Sequence, residues 1–166
     1  MKLLIFSDNH RDREAIREML DKNPGFIHQI SLGDSEMRES ELTELNIYGV
    51  KGNYPFEPKF PKDLTLDFEG IRVFLTHGHL FSVKLGLSSL LNHCLYNDIQ
   101  IACFGHTHQA MIKEIEGVLF INPGSLSRTR LFSKASYAIL EITEKAIEAT
   151  IKSLDGDIIY TYQKNR

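Results

Sequence analysis

Five short apolar runs, rich in Ile, Leu, Val and Phe, each stop abruptly at a polar cluster that holds a metal-ligating side chain. Leu3 to Phe6 ends in Ser7-Asp8-Asn9-His10, and Ile27 to Leu32 ends in Gly33-Asp34. Ile47 to Val50 leads through Lys51 to Gly52-Asn53, Ile71 to Leu75 runs into Thr76-His77-Gly78-His79, and Ile101 to Phe104 runs into Gly105-His106-Thr107-His108. Between the first two runs Ala15, Ile16, Met19 and Leu20 recur at helical spacing until Pro24-Gly25; Leu87, Leu90, Leu91, Cys94 and Leu95 mark a second amphipathic helix. Strand–helix alternation of this kind predicts buried, largely parallel strands with helices outside, and in such sheets ligands gather beyond the carboxyl ends of the strands. All five polar clusters fall there.

After about residue 110 the period changes. Met111 to Glu116 and Val118 to Ile121 flank Gly117; Ala138, Leu140 and Ile142 alternate, as do Ile147, Ala149 and Ile151, before Asp155-Gly156 and Ile158 to Tyr162. These segments read as antiparallel hairpins, with Asp155-Gly156 as a two-residue turn, that pack a second sheet on the first. The expected fold class is α/β: two stacked sheets with helices on the outer faces, in one domain spanning 1–166.

Composition sets the outer limits. Hydrophobic residues at 42% and charged residues at 25% belong to an ordinary globular chain, and 19 Lys plus Arg against 22 Asp plus Glu give a net charge of −3. That balance supplies no broad electrostatic attraction for nucleic acid. Leu3 to Phe6 is too short for a signal-peptide core, and no segment approaches the length of a membrane span, so the reading is cytoplasmic with no membrane association. Cys94 and Cys103 sit in apolar settings and read as small core residues.

Of seven histidines, only His28 and His93 lie away from the strand-end motifs. Singly, each motif is an ordinary turn. Together they bring two aspartates, an asparagine and several histidines to one rim, a crowd of charge that bound cations would neutralise. The oxygen and nitrogen donors, without thiolate, suit manganese first, and iron, zinc, nickel or cobalt; more than four ligands points to two divalent ions.

The motifs Asp8-x-His10, Gly33-Asp34, Gly52-Asn53, His77-Gly78-His79 and Gly105-His106-Thr107-His108, followed by Asn122-Pro123-Gly124-Ser125, resemble in order those of the calcineurin-like metallophosphoesterases, specifically their small cap-less bacterial and archaeal phosphodiesterases. The resemblance implies a four-layer αββα sandwich of mixed sheets. It also implies that Asp8, His10 and His108 hold one ion, that Asn53, His77 and His106 hold the other, and that Asp34 bridges them. On that reading the chain hydrolyses a small phosphoester, as a phosphodiesterase or phosphatase, and Asp34, Asn53 and His77 serve catalysis through a hydroxide shared by the ions.

One position departs from the pattern. Many of these enzymes carry a histidine after the asparagine ligand, or Cys-Asp in the small branch; this chain has Tyr54-Pro55. A tyrosine stays protonated, but its reference pKa near 10 is a poor match to general-acid work at neutral pH. His79 reads either as a support behind the ligands or as a histidine that hydrogen-bonds a loop. Arg128 and Arg130 are candidates to meet an anionic substrate. The rival functions are a non-enzymatic protein-binding scaffold on the same fold and a nuclease; the intact ligand set argues against the first and the charge against the second. The sequence is compatible with a homo-oligomer.

Overall fold

In β1 (Lys2–Phe6) every residue after Lys2 is buried, and alternate side chains leave on opposite faces: Leu3 and Ile5 join one apolar layer, Leu4 and Phe6 another. A strand apolar on both faces must be covered on both. The computed structural model, which describes residues 1–55, 59–128 and 134–166, shows how the chain covers them.

The first sheet adds β2 (His28–Ser31), β3 (Ile47–Gly49), β9 (Ser136–Ile142), β10 (Ala146–Ser153) and β11 (Ile158–Asn165) to β1, in the order β11-β10-β9-β1-β2-β3. The second comprises β4 (Asp63–Phe68), β5 (Ile71–Thr76), β6 (Ile101–Cys103), β7 (Met111–Ile115) and β8 (Val118–Asn122), in the order β4-β5-β6-β8-β7. Both are mixed: β1, β2 and β3 run parallel, as do β5, β6 and β8, while β9 to β11, β4 and β7 pair antiparallel.

Three apolar layers separate four structural ones. Between the sheets lie Leu3, Ile5, Val73, Leu75, Ile101 and Cys103 with Leu119, Ile121, Ala138 and Leu140. Outside the first sheet, Leu4, Phe6 and Tyr137 pack on Ala15, Ile16 and Met19 of α1 (Arg13–Lys22) and Leu42 of α2 (Glu39–Thr43). Outside the second, Phe74, Ala102, Phe104 and Phe120 pack on Leu90 and Cys94 of α3 (Ser88–Tyr96). This is the αββα sandwich that the resemblance implies. Each fully buried Leu, Ile or Phe contributes about 1.5–3 kcal/mol, so these layers carry the fold and the rim above them is free for chemistry. Cys94 and Cys103 are buried free thiols, as the sequence reading has them. Among the described residues no helix is long and apolar enough to cross a membrane.

Two details differ from the sequence reading. Residues after 110 do not build a second sheet by themselves: β7 and β8 complete the β4–β6 sheet, whereas β9 to β11 return to the β1–β3 sheet. Hairpin periodicity reports antiparallel neighbours but not which older strand the hairpin joins. The Asp155-Gly156 pair also lies within a longer connection, because β10 ends at Ser153 and β11 starts at Ile158, with an irregular register at Ile151/Lys152. The hairpin of β4 and β5, absent from the sequence reading, turns on Glu69 and Gly70 at φ 53 and 82, a backbone shape that matches the twist of paired strands.

Candidate metal centre

β1, β2, β3, β5 and β6 each deliver candidate ligands one to five residues beyond their carboxyl ends, on loops that turn away from the strand direction. Five of the seven candidates (Asp8, His10, Asp34, His106 and His108) have φ between 45 and 67, the left-handed region that residues with a Cβ seldom occupy. The bends are held in place. Asp8 N donates to Gly33 O at 3.0 Å and His10 N to Asp34 O at 3.2 Å, which tie the first two loops together. Ser125 Oγ donates to Asp8 O at 2.8 Å, and Asn122 Nδ2 donates to Gly105 O at 3.1 Å.

Asp8 is fully buried at the middle of the cluster. Its Oδ2 accepts from Ser7 Oγ at 2.6 Å and from His106 N at 3.1 Å; its Oδ1 lies 2.8 Å from His108 Nε2 and 3.9 Å from the Nε2 atoms of both His10 and His77. Donor atoms of Asp8, His10 and His108 form one group within 4.8 Å of one another, and those of Asp8, Asp34 and His77 form a second. Asn53 Oδ1 is 3.1 Å from His77 Nε2, and the His106 ring centroid is 5.0 Å from that of His77. The structure thus brings all seven sequence-predicted ligands to one rim.

The imidazoles are aimed from behind. His77 Nδ1 donates to Leu32 O at 2.8 Å, which leaves Nε2 facing Asp8 and Asp34. His10 Nδ1 lies 2.8 Å from Glu36 Oε1, which leaves its Nε2 facing Asp8. An outward nitrogen fixed on a carbonyl or carboxylate is the usual support of a metal-binding histidine. Two aspartates, inward imidazole nitrogens and an asparagine oxygen fit hard-to-borderline divalent cations.

The protonation states follow from crowding. Burial alone would raise Asp8, but its hydrogen bond to His108 and the charges of His77 and His108 hold it below the usual carboxylate range. Asp34, 6% exposed, is raised by burial but is drawn down to about 2 by His77 and by the Tyr54 backbone N–H. His77 is lowered by burial yet ends above the ordinary histidine value because Asp34 and Asp8 face it. Burial, then the charge of His77, pushes His106 down to about 4.

A pH dependence follows for metal-free protein. A depressed carboxylate stabilises the fold above its unfolded value of 3.8, and that stabilisation disappears as pH falls towards about 2. Urea midpoints of metal-free protein are therefore expected to fall between about pH 4 and 2 more steeply in the parent than in Asp34→Asn. Equal slopes would remove Asp34 as a source of the dependence.

Other sequence candidates lie nearby or elsewhere. His79, on a 3-10 turn (His79–Phe81), has its ring 5.4 Å from His77 and 6.1 Å from His106; Nδ1 is buried without a hydrogen-bond partner among the described residues, and burial lowers its pKa. Tyr54 N donates to Asp34 Oδ1 at 3.0 Å, while its hydroxyl accepts from Arg11 Nη2 at 2.9 Å. Arg128 is tied to α1: its N–H donates to Asp12 Oδ2 at 3.0 Å and its guanidinium pairs with Glu18. Arg130 lies outside the described residues. Sequence reasoning missed Glu36 and Arg11, whose only signal is adjacency to Asp34 and His10.

A two-sheet α/β sandwich with aspartate, histidine and asparagine donors converging on its strand ends presents a rim suited to divalent cations. A family model of the calcineurin-like phosphoesterase superfamily domain matches residues 1–145, and the chain belongs to that family. It is 34% identical over 157 residues to the probable metallophosphoesterase YsnB of Bacillus subtilis, covering 93% of this chain and 91% of the relative. It is 30% identical over 146 residues to the phosphodiesterase MJ0936 of Methanocaldococcus jannaschii, covering 75% and 83%. The crystal structure of a predicted phosphoesterase from Streptococcus pneumoniae superposes with a TM-score of 0.85 at 27% identity, covering 99% of this chain and 97% of that one.

Proposed function

We propose that the protein is a cytoplasmic phosphodiesterase, with phosphomonoesterase activity as a secondary capacity, that works with two divalent ions, manganese first among them. The carrying observation is that Asp8 belongs to both groups of convergent donor atoms. Asp8, His10 and His108 would hold one ion and Asn53, His77 and His106 the other. Asp34 would lie between: it contacts His77 and also feels the charge of His10. Divalent ions held there would supply an acidified water and the positive charge that an in-line displacement at phosphorus requires.

The chain's own residues set the rest. Leu32 O and Glu36 keep two imidazoles turned inward, and the buried carboxylates remain ionised at neutral pH. No histidine follows Asn53, and the Tyr54 hydroxyl is held by Arg11. The leaving group therefore departs with little protonation, without the 10²- to 10⁴-fold assistance that a matched general acid typically gives.

The test is to measure bound metal, then assay phosphomonoesters, phosphodiesters and single-stranded DNA with each divalent ion added to chelator-treated protein. Aryl diesters are expected to outrun alkyl diesters steeply, with Tyr54→Phe changing little. A flat leaving-group dependence that becomes steep in Tyr54→Phe would make Tyr54 the acid. Full metal occupancy with no hydrolysis of any ester would favour the protein-binding scaffold, and preference for DNA would favour the nuclease.

A further inference from the structure

Beside the ligand cluster lies a groove of about 480 Å³ lined by Arg11, Arg13, Arg38, Glu36, Glu41 and Tyr54. It shares its wall with the centre. Arg11 follows His10 in the chain, Glu36 faces His10 Nδ1 at 2.8 Å, and Tyr54 N donates to Asp34.

Three arginines face two glutamates, and both glutamates already have partners. Glu36 is engaged by His10 and lies 3.7 Å from Arg11 Nε. Glu41 pairs with the Arg13 guanidinium and accepts from Arg38 N at 2.9 Å. Arg11 is positioned by two bonds, Nε to Glu36 O at 3.1 Å and Nη2 to the Tyr54 hydroxyl at 2.9 Å. The exposed Arg38 side chain makes no ion pair within 4.0 Å among the described residues, although the Arg38 backbone N–H, the Arg13 guanidinium and the Arg38 charge together hold the Glu41 carboxyl low.

We infer that this groove receives a second phosphoryl group carried by the substrate, with Arg38 as its principal contact and Arg11 beside it. The assignment rests on the phosphoesterase reading of the adjacent centre and narrows it to phosphoesters with a distal phosphate. A guanidinium presents parallel N–H donors matched to phosphate oxygens, and an excess of positive charge next to a site for one phosphoryl group favours an anion that spans both. Arg128, paired with Glu18, lies outside this groove.

The experiment uses the metal-loaded full chain and three p-nitrophenyl diesters with one leaving group and one butyl arm, ending in hydroxyl, carboxylate or phosphate. In the parent, kcat/KM for the phosphate-ended ester is expected to exceed that for the hydroxyl-ended ester by about tenfold or more, equivalent to about 1.4 kcal/mol. Arg38→Ala is expected to reduce the ratio of the two esters to near unity; Arg38→Lys should retain part of it.

Uncleavable phosphonate counterparts, titrated calorimetrically, should show the same discrimination and the same loss in Arg38→Ala. Discrimination in binding without any turnover would remove the hydrolytic reading but keep the groove. Equal affinities in the parent, an advantage that survives Arg38→Ala, or a carboxylate arm as good as phosphate would overturn the phosphoryl assignment.

Discussion

Asp8→Asn protein is expected to fold, to bind far less metal, and to lose turnover by on the order of 10²-fold or more, since even residues behind metal ligands typically cost 10- to 100-fold. Among the described residues Asp8 alone belongs to both donor groups, and it is fully buried. One carboxylate oxygen faces the Ser7 hydroxyl and the His106 N–H, the other faces His108, His10 and His77. An amide removes the charge and turns its NH₂ towards one of these sets. The apolar layers are untouched, so urea unfolding should change little beside the loss of function. His108→Ala, which strips a ligand from one group only, should keep part of the metal. Asp8→Asn protein with a full metal complement and near-normal turnover would refute the metal-holding role proposed for Asp8.

Gly52→Ala is expected to damage both fold and centre although the change adds one methyl group. A Cβ there would stand 2.0 Å from Asp34 Oδ1 and 2.5 Å from Asp34 N. The carboxylate could swing away, abandoning His77 and the Tyr54 N–H, but the backbone nitrogen cannot move without shifting the loop beyond β2. Overpacking of this kind costs about 1–3 kcal/mol, and here the strain falls on a proposed bridging ligand. Loss of metal together with a lowered unfolding midpoint is the expected result, read by elemental analysis and urea titration on one preparation. A variant that keeps parental metal content and stability would show that the loops can part at no cost.

Gly52 also shows what a sequence conceals. Gly-Asn reads as a turn that needs left-handed backbone, yet Gly52 is not among the residues with positive φ; it is small because the Asp34 loop passes against it. The strand ends were legible because short apolar runs, such as Leu3 to Phe6 and Ile101 to Phe104, stop at polar residues, a local pattern. The candidate ligands were legible for the same reason, since each lies within a few residues of such a stop. Glu36 was not: among Glu36, Glu39 and Glu41 nothing local marks the one that reaches His10, 26 residues away. The hairpin of β4 and β5 escaped because its Glu-Gly turn carries a weaker signal than Asn-Gly or Asp-Gly.

β1 lies between β2 and β9, and the loop after β1 is fastened by Ser125 and by the Leu126 N–H, which donates to Ser7 O at 2.9 Å. During synthesis all seven candidate ligands, the last of them His108, are made before the strand that flanks β1. A nascent chain therefore carries every candidate donor while the rim they share is still open on one side. Pairing of β1 with β9 joins residues more than a hundred positions apart, the kind of long-range closure that comes late in folding. On the proposed reading, tight metal capture would therefore be a signal of completion, coming only once β9 has docked beside β1.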